Sequence, residues 1–422
     1  MFRVFRTARR NSSSYAMALA LMGGSALGTA AIAPAAFAQE QDRDYSEGFV
    51  AAYQPVAAMV NQENPDYAAA RAQLSAINAA VQTPDDRMAA GNLALQIGSQ
   101  LQDDALRREG LEMMLASGRV EPARLGDYNY FAGQFAYNAG DYAAAREAFQ
   151  RALAAGYVDD DTDVANDPEY VIMQTYTGEN NPAAGVSYIL GVAQERAAAG
   201  QPVPERWLLR ALQDAYDYEL SDESFQVSTI LLDSYPNQTN WSNALRIYQQ
   251  LNQFEPDVRV DLFRLMLDAG VELQQGEYFT LAEDLDPRSM GNEVVRVLDA
   301  GVAQGVIDTS NSYYTEVRST AEQRGAADRA ERASYVSQGE SGNATDAFEA
   351  AEVLYSLGEY DQAARFYRRA AEQGGNTDAA NLRLGIALTK AGDTAGAQAA
   401  FAQVGGTRER LAQLWSAYAA GV

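Results

Sequence analysis

Three pairs of residues spaced 34 apart constrain this chain more than anything else in it: Gly358 with Gly392, Ala363 with Ala397, and Tyr367 with Phe401. Each pair has a steric logic. Glycine reaches the left-handed backbone angles that a tight turn between helices requires. Alanine lets two helices approach closely, and a large ring fills the space where one helix pair stacks on the next. The surrounding apolar residues follow helical spacing: Phe348, Ala351, Leu354 and Tyr355 form one stripe before Gly358 and Tyr360, and Ala363, Ala364, Tyr367 and Ala370 form another after it. Leu384, Gly385, Leu388, Gly392, Ala397 and Phe401 then repeat the phases. A lone pair of helices cannot cover its apolar face, so this period predicts a stack of helix pairs.

The pattern returns upstream in FAGQFAYNAGDYAAAREAFQRALAAGY, where Gly133, Gly140, Tyr142, Ala145, Phe149 and Ala152 hold the same phases. With its small residue, glycine, tyrosine, alanine and phenylalanine in this order, the repeat resembles the tetratricopeptide family. The resemblance implies an all-α, right-handed α-solenoid of helix-turn-helix repeats, degenerate in the middle and closed by a C-terminal capping helix. It also implies a groove for extended peptides or partner helices, lined by four positions of each first helix. Carried over by register, these are Asp127, Tyr130, Gln134 and Tyr137 in the first clear copy. In the C-terminal copies they are Phe348, Glu352 and Tyr355, then Leu382, Ile386 and Thr389, with Lys390 adjacent. Family members that bind acidic C-termini use Lys, Arg and Asn in this groove; here Tyr, Gln and Glu stand there, so that specificity is not implied.

Composition excludes several chemistries. The chain has no cysteine and no histidine, which removes Cys and His nucleophile–base systems, thiolate or imidazole zinc sites and His general bases. Carboxylate pairs carry no argument, because among 57 acidic residues almost every spacing occurs by chance. The acidic run around Asp159 to Asp167 fails as a calcium loop: Val164 stands where glycine is needed and Tyr170 where a bidentate Glu is needed. No catalytic residue, metal or cofactor is expected. The formal net charge of −25 opposes nucleic acid and anionic lipid surfaces, and the resemblance implies a protein partner. Arginine supplies all positive charge but Lys390, a bias read here as codon composition.

The first 38 residues read as a cleavable signal peptide: Arg3, Arg6, Arg9 and Arg10 without an acid, an apolar stretch from Ala16 to Ala33, and Ala36-Phe37-Ala38 before Gln39. With no cysteine to carry a lipid, and no later segment that reads as a membrane span, the expected product is periplasmic and not a lipoprotein. Residues 39–158 form an N-terminal helical region with one clear repeat at about 126–157. Within it, Tyr67, Ala70, Leu74 and Ile77 repeat the second-helix spacing, and Thr83-Pro84-Asp85-Asp86 reads as a helix start ahead of Gly91 and Gly98. Residues 159–337 read as degenerate repeats, with Trp207 and Trp241 as packing residues, a helix stop at Tyr235-Pro236, and a turn at Gly276-Glu277-Tyr278. Residues 338–346 read as a linker. Residues 347–422 form the last pair plus a cap through Leu411, Leu414, Trp415 and Tyr418. The expected role is a non-catalytic envelope scaffold or assembly factor. The alternatives are a regulator of cell-wall glycan hydrolysis and a component of a polysaccharide-export machine.

Overall fold

The computed structural model describes residues 43–158 and 166–421; the signal-peptide reading and most of the acidic run lie outside them. All regular structure among the described residues is helical, and neighbouring helices pack in series. Two compact units divide between Ile189 and Leu190. Unit one holds α1 (Glu47–Val60), α2 (Tyr67–Ala80), α3 (Pro84–Leu101), α4 (Asp104–Ala116), α5 (Leu125–Asn138), α6 (Tyr142–Ala154) and α7 (Pro168–Gly178); the division falls inside α8 (Pro182–Ala198). Unit two continues with α9 (Glu205–Asp217), α10 (Ser221–Ser234), α11 (Gln238–Leu251), α12 (Pro256–Asp268), α13 (Gln275–Asp284) and α14 (Gly291–Ala303). It ends with α15 (Ser312–Ser341), α16 (Ala344–Ser356), α17 (Tyr360–Glu372), α18 (Thr377–Ala391), α19 (Thr394–Phe401) and α20 (Glu409–Ala420).

The turns between helices explain the glycine spacing. Gly140, Gly358 and Gly392 have φ of 77°, 82° and 83°, where a side chain is strained. After each, the N–H of the residue following the glycine reaches back five residues: Asp141 to the Ala136 carbonyl, Glu359 to Leu354 and Asp393 to Leu388, all at 2.9 Å. This pattern satisfies carbonyls that the ending helix leaves orphaned. The next residue then starts the following helix, since the Asp141 and Asp393 carboxylates accept from the N–H groups of Ala144 and Gly396.

The other repeat residues lie where their sizes require. A Cβ on Gly133 would approach the Phe149 ring to 2.9 Å, and one on Gly385 the Phe401 ring to 2.3 Å. Ala145, Ala363 and Ala397 are fully buried at their helix crossings, as is Tyr367. Tyr142 stacks edge-on with Tyr137, and Tyr360 with Tyr355, the same pair in both units.

Unit one starts where the sequence predicts. Thr83 caps α3, Pro84 opens it, and Asp86 completes a reciprocal capping box. Asp86 also accepts from the main-chain and side-chain groups of Ser46, tying the entry to α1 onto the start of α3. Burial would raise the Asp86 carboxyl, but its hydrogen bonds from Gln82, Ser46 and Thr83 hold it below the usual carboxylate range.

Three expectations need correction. The stretch 338–346 is no extended linker: Gln338–Ser341 forms the last turn of α15, and Asn343 caps α16 one residue after Gly342. This polar, 30-residue helix is laced by pairs such as Arg318–Glu322 at 2.8 Å and Arg324–Asp328 at 2.9 Å, which need no apolar stripe to form. Gly276 is not a turn residue either; it lies in the first turn of α13, and the left-handed residue is Gly270, at φ 72°. The C-terminal helix α20 does more than cap its neighbour, for it packs on α10 and α12 as well as on α18. Trp207, Trp241 and Trp415 are all buried, and α10 stops at Ser234, before Pro236.

The tightest crossing in unit one, between α3 and α4, gives a test. A Cβ at Gly91 would meet the Gly110 carbonyl oxygen at 2.6 Å and the Met114 nitrogen at 2.9 Å, backbone atoms that cannot swing away. Gly91→Ala is expected to lower the stability of unit one by about 1–3 kcal/mol. Gly48→Ala, on α1 with nothing within 4 Å of the added carbon, is expected to raise it by roughly 0.5–1 kcal/mol. Denaturation followed by circular dichroism checks both. The tryptophan-reported transition serves as control, since all three tryptophans lie in unit two.

Candidate functional site

Helix α12 reads PDVRVDLFRLMLD and has two characters at once. Val258, Val260, Leu262, Phe263, Leu265 and Met266 are buried, so it is apolar around most of its circumference. Yet Asp257, Asp261, Arg264 and Asp268 recur at helical spacing, placing a charged stripe on a helix with almost no solvent face. A buried ion survives only where partners replace its lost hydration.

Those partners come from α12 itself, from α14 and from the C-terminal helices. Asp261, 0% exposed, receives Arg264 Nη1 at 2.8 Å and Arg383 Nε at 3.3 Å. Arg264, 5% exposed, makes a two-pronged contact with both carboxylate oxygens of Glu293 at 2.8 Å, and its guanidinium lies 4.4 Å from the Tyr355 ring centre. Arg383 also reaches Glu352 at 2.8 Å, and Glu352 accepts from the Tyr367 hydroxyl. At the ends of α12, Arg408 pairs with Asp257 and Lys390 with Asp268 at 2.7 Å. Helix α20 closes the arrangement: Trp415 Nε1 donates to the Asp261 carbonyl at 3.0 Å, and the Tyr418 hydroxyl to the Asp268 carbonyl at 2.8 Å.

Burial alone would push the Glu293 carboxyl upward. The charge and hydrogen bonds of Arg264, assisted by Arg296 and Arg383, override it and hold Glu293 below its usual range. Asp268 goes the other way, because there burial outweighs Lys390 and raises the carboxyl. Burial pushes the Tyr355 and Tyr367 hydroxyls well above the usual phenol range, so both remain neutral donors. These contacts hold α12 against α14, α16, α18 and α20.

In place of the open groove expected in the C-terminal pair, that face carries α12. Ile386 and Leu382 are fully buried, Tyr355 lies under Arg264, and Glu352 and the partly exposed Lys390 are paired within the chain. Phe348 stacks edge-on against Tyr367 with Arg383 over its ring. In unit one, Tyr130 is buried, stacked 4.3 Å from the Tyr157 ring, and its hydroxyl donates to the Asn166 carbonyl at 2.9 Å. Gln134 donates to that same hydroxyl at 2.6 Å. Gln134, Tyr137 and Asp127 remain half-buried. The structure thus brings the two groups of candidates together only within their own units. Sequence reading missed Asp261, Arg264 and Glu293; the signal available for α12 was its polar stripe on an otherwise apolar helix. The sequence matches no protein-family model and no curated protein.

Removing one member of this network leaves its partners buried and uncompensated. Arg264→Met is expected to destabilise unit two by about 3–5 kcal/mol, read from the tryptophan fluorescence transition. The pH dependence has a defined sign. With its folded pKa depressed, Glu293 contributes stability that is present above the unfolded value, about 4.3, and is lost as pH falls through the lower folded value. Asp268, with a raised folded pKa, opposes this, losing stability as pH rises from its unfolded value through its folded one. In Glu293→Gln the stability of unit two at neutral pH is expected to drop, and its loss below pH ~4 to become shallower than in the parent. Denaturant titrations at stepped pH values check this; an unchanged slope rules out Glu293 as the group.

Proposed function

We propose that the chain is an exported, non-catalytic scaffold of tetratricopeptide type that binds a protein partner in the bacterial envelope through unit one. The recurrent junction of a left-handed glycine, a reach-back hydrogen bond and an acidic helix start, combined with small residues facing rings, supports this reading. A stack of such junctions is a rigid platform, so a bound segment is ordered without a matching ordering cost in the receptor. The assignment to the envelope rests on the leader-like first 38 residues.

Self-occupation decides which unit the proposal names. The groove positions of the C-terminal pair are spent on α12, which leaves Gln134 and Tyr137 of unit one as the candidates a partner reaches. Tyrosine suits the task, since it buries area at small rotamer cost and keeps a polar tip.

In-cell crosslinking and affinity capture of the tagged protein is expected to recover a partner with the parent and with Lys390→Gln. A Gln134→Ala, Tyr137→Ala variant should lose it while keeping its circular dichroism and melting profile. Recovery undiminished in the unit-one variant would remove that face from the proposal. Loss confined to Lys390→Gln would return the function to unit two.

A further inference from the structure

A cavity of about 310 Å³ opens in unit two between α14 and α15, beside the end of α16. Asn292, Arg296, Ala321, Gly325, Arg329 and Leu357 line it. Its floor depends on two glycines. At Gly291 a Cβ would lie 2.4 Å from the Ala321 carbonyl oxygen and 2.7 Å from the Gly325 nitrogen, so the helices cross at backbone distance. At Gly325 a Cβ would sit 2.7 Å from the Asn292 side-chain oxygen, so the missing side chain makes room for that amide.

Asn292 organises both guanidiniums. Its side-chain oxygen accepts from Arg329, its carbonyl accepts from Arg296 Nη1 at 3.4 Å, and its own Nδ2 donates to the Gly325 carbonyl at 3.3 Å. Arg296 also donates to the Ser356 and Tyr355 carbonyls at the end of α16. Neutral oxygens orient both arginines, and among the described residues neither lies in a salt bridge, although the charges of Glu293 and Asp328 act on Arg296 and Arg329 through space. The acid on the cavity wall, Glu322, is engaged by Arg318 at 2.8 Å, and Arg318 also pairs with Asp299. Arg296 and Arg329 border a space with room for a small solute.

We propose that this cavity is an oxyanion site that takes one phosphate group, free or as the monoester of a small molecule, between Arg296 and Arg329. Two guanidiniums match the charge of a phosphate dianion, and each offers planar donors beyond those already spent on carbonyls. The volume admits the phosphate with a short organic remainder. This site stands apart from the scaffold role and adjoins the network around α12 at Arg296, whose charge also acts on Glu293.

Isothermal titration calorimetry of the full chain at low ionic strength, with inorganic phosphate and with glycerol phosphate, tests it. Saturable one-to-one binding is expected, weakened about tenfold or more by Arg329→Gln and partly restored by Arg329→Lys, which returns a point charge without the fork. Arg288→Gln, at an exposed arginine that does not line the cavity, should leave it unchanged. Tighter binding of the monoester identifies an ester as the ligand type; equal binding identifies the free ion. Absence of saturable heat, or an equal loss in Arg288→Gln, overturns the proposal. Fold integrity of each variant is read from its tryptophan transition, so a loss of binding is separated from a loss of structure.

Discussion

Taking Asp261 out of water sets the terms for the rest of unit two. A fully buried carboxylate has lost its hydration, which costs several kcal/mol even after relaxation, and it persists only with charge and hydrogen-bond partners in near-ideal geometry. Here the partners are Arg264, three residues on along the same helix, and Arg383, which lies 122 residues away in sequence. Arg264 in turn needs Glu293, and Arg383 needs Glu352. Each requirement ties α12 to a further helix, until α14, α16, α18 and α20 are all committed to it. The apolar residues of α12 bring the helices together non-specifically. The ions fix which helix occupies the face and in what register, because a shift of one residue would strand several charges at once.

This division of labour shows what the sequence made legible. The turns were readable because their cause is local: Gly140, Gly358 and Gly392 sit at backbone angles closed to other residues, and Asp141 and Asp393 follow as caps. The start of α3 was readable for the same reason, every element of its capping box lying within four residues. Packing of Trp207, Trp241 and Trp415 followed from their apolar neighbours. The middle of the chain was harder because its turns do not keep the 34-residue period. Asn180, Gly200, Glu219, Gly270, Asp286 and Gly305 carry the left-handed angles there, and three of the six are not glycine. Gly276 was misplaced because a glycine followed by an acid and a tyrosine is also what the first turn of a capped helix tolerates.

The occupancy of the C-terminal face was not legible, and the reason is physical. Register assigns Tyr355, Ile386 and Lys390 to one face of two successive repeats, but says nothing about what lies opposite. Side-chain chemistry is equally silent, since a tyrosine that closes over an internal arginine looks the same in sequence as one awaiting a partner. Only the pairing across more than a hundred residues distinguishes them, and a single sequence does not encode it at any fixed spacing. The same holds for α15: its apolar moment is weak, so a polar stretch at its end reads as a linker, although Gly339 packs beneath Phe366 and the helix runs through it.

The arginine bias acquires a structural use in this light. Arg264 on Glu293, Arg259 on Asp284 and Arg332 on Glu359 each place two nitrogens on two carboxylate oxygens, a contact that an ammonium group has no means of forming. A guanidinium also tolerates burial better, being more weakly hydrated, and lies flat on rings as Arg264 does on Tyr355 and Arg196 on Trp207. The lone lysine sits where neither property is needed: Lys390 makes a single-point contact with Asp268 at the partly exposed end of α12. Codon composition accounts for how much arginine the chain has. It does not account for this use of the fork, which runs from the buried Arg264–Glu293 pair to the partly exposed Arg259–Asp284 and Arg332–Glu359 pairs.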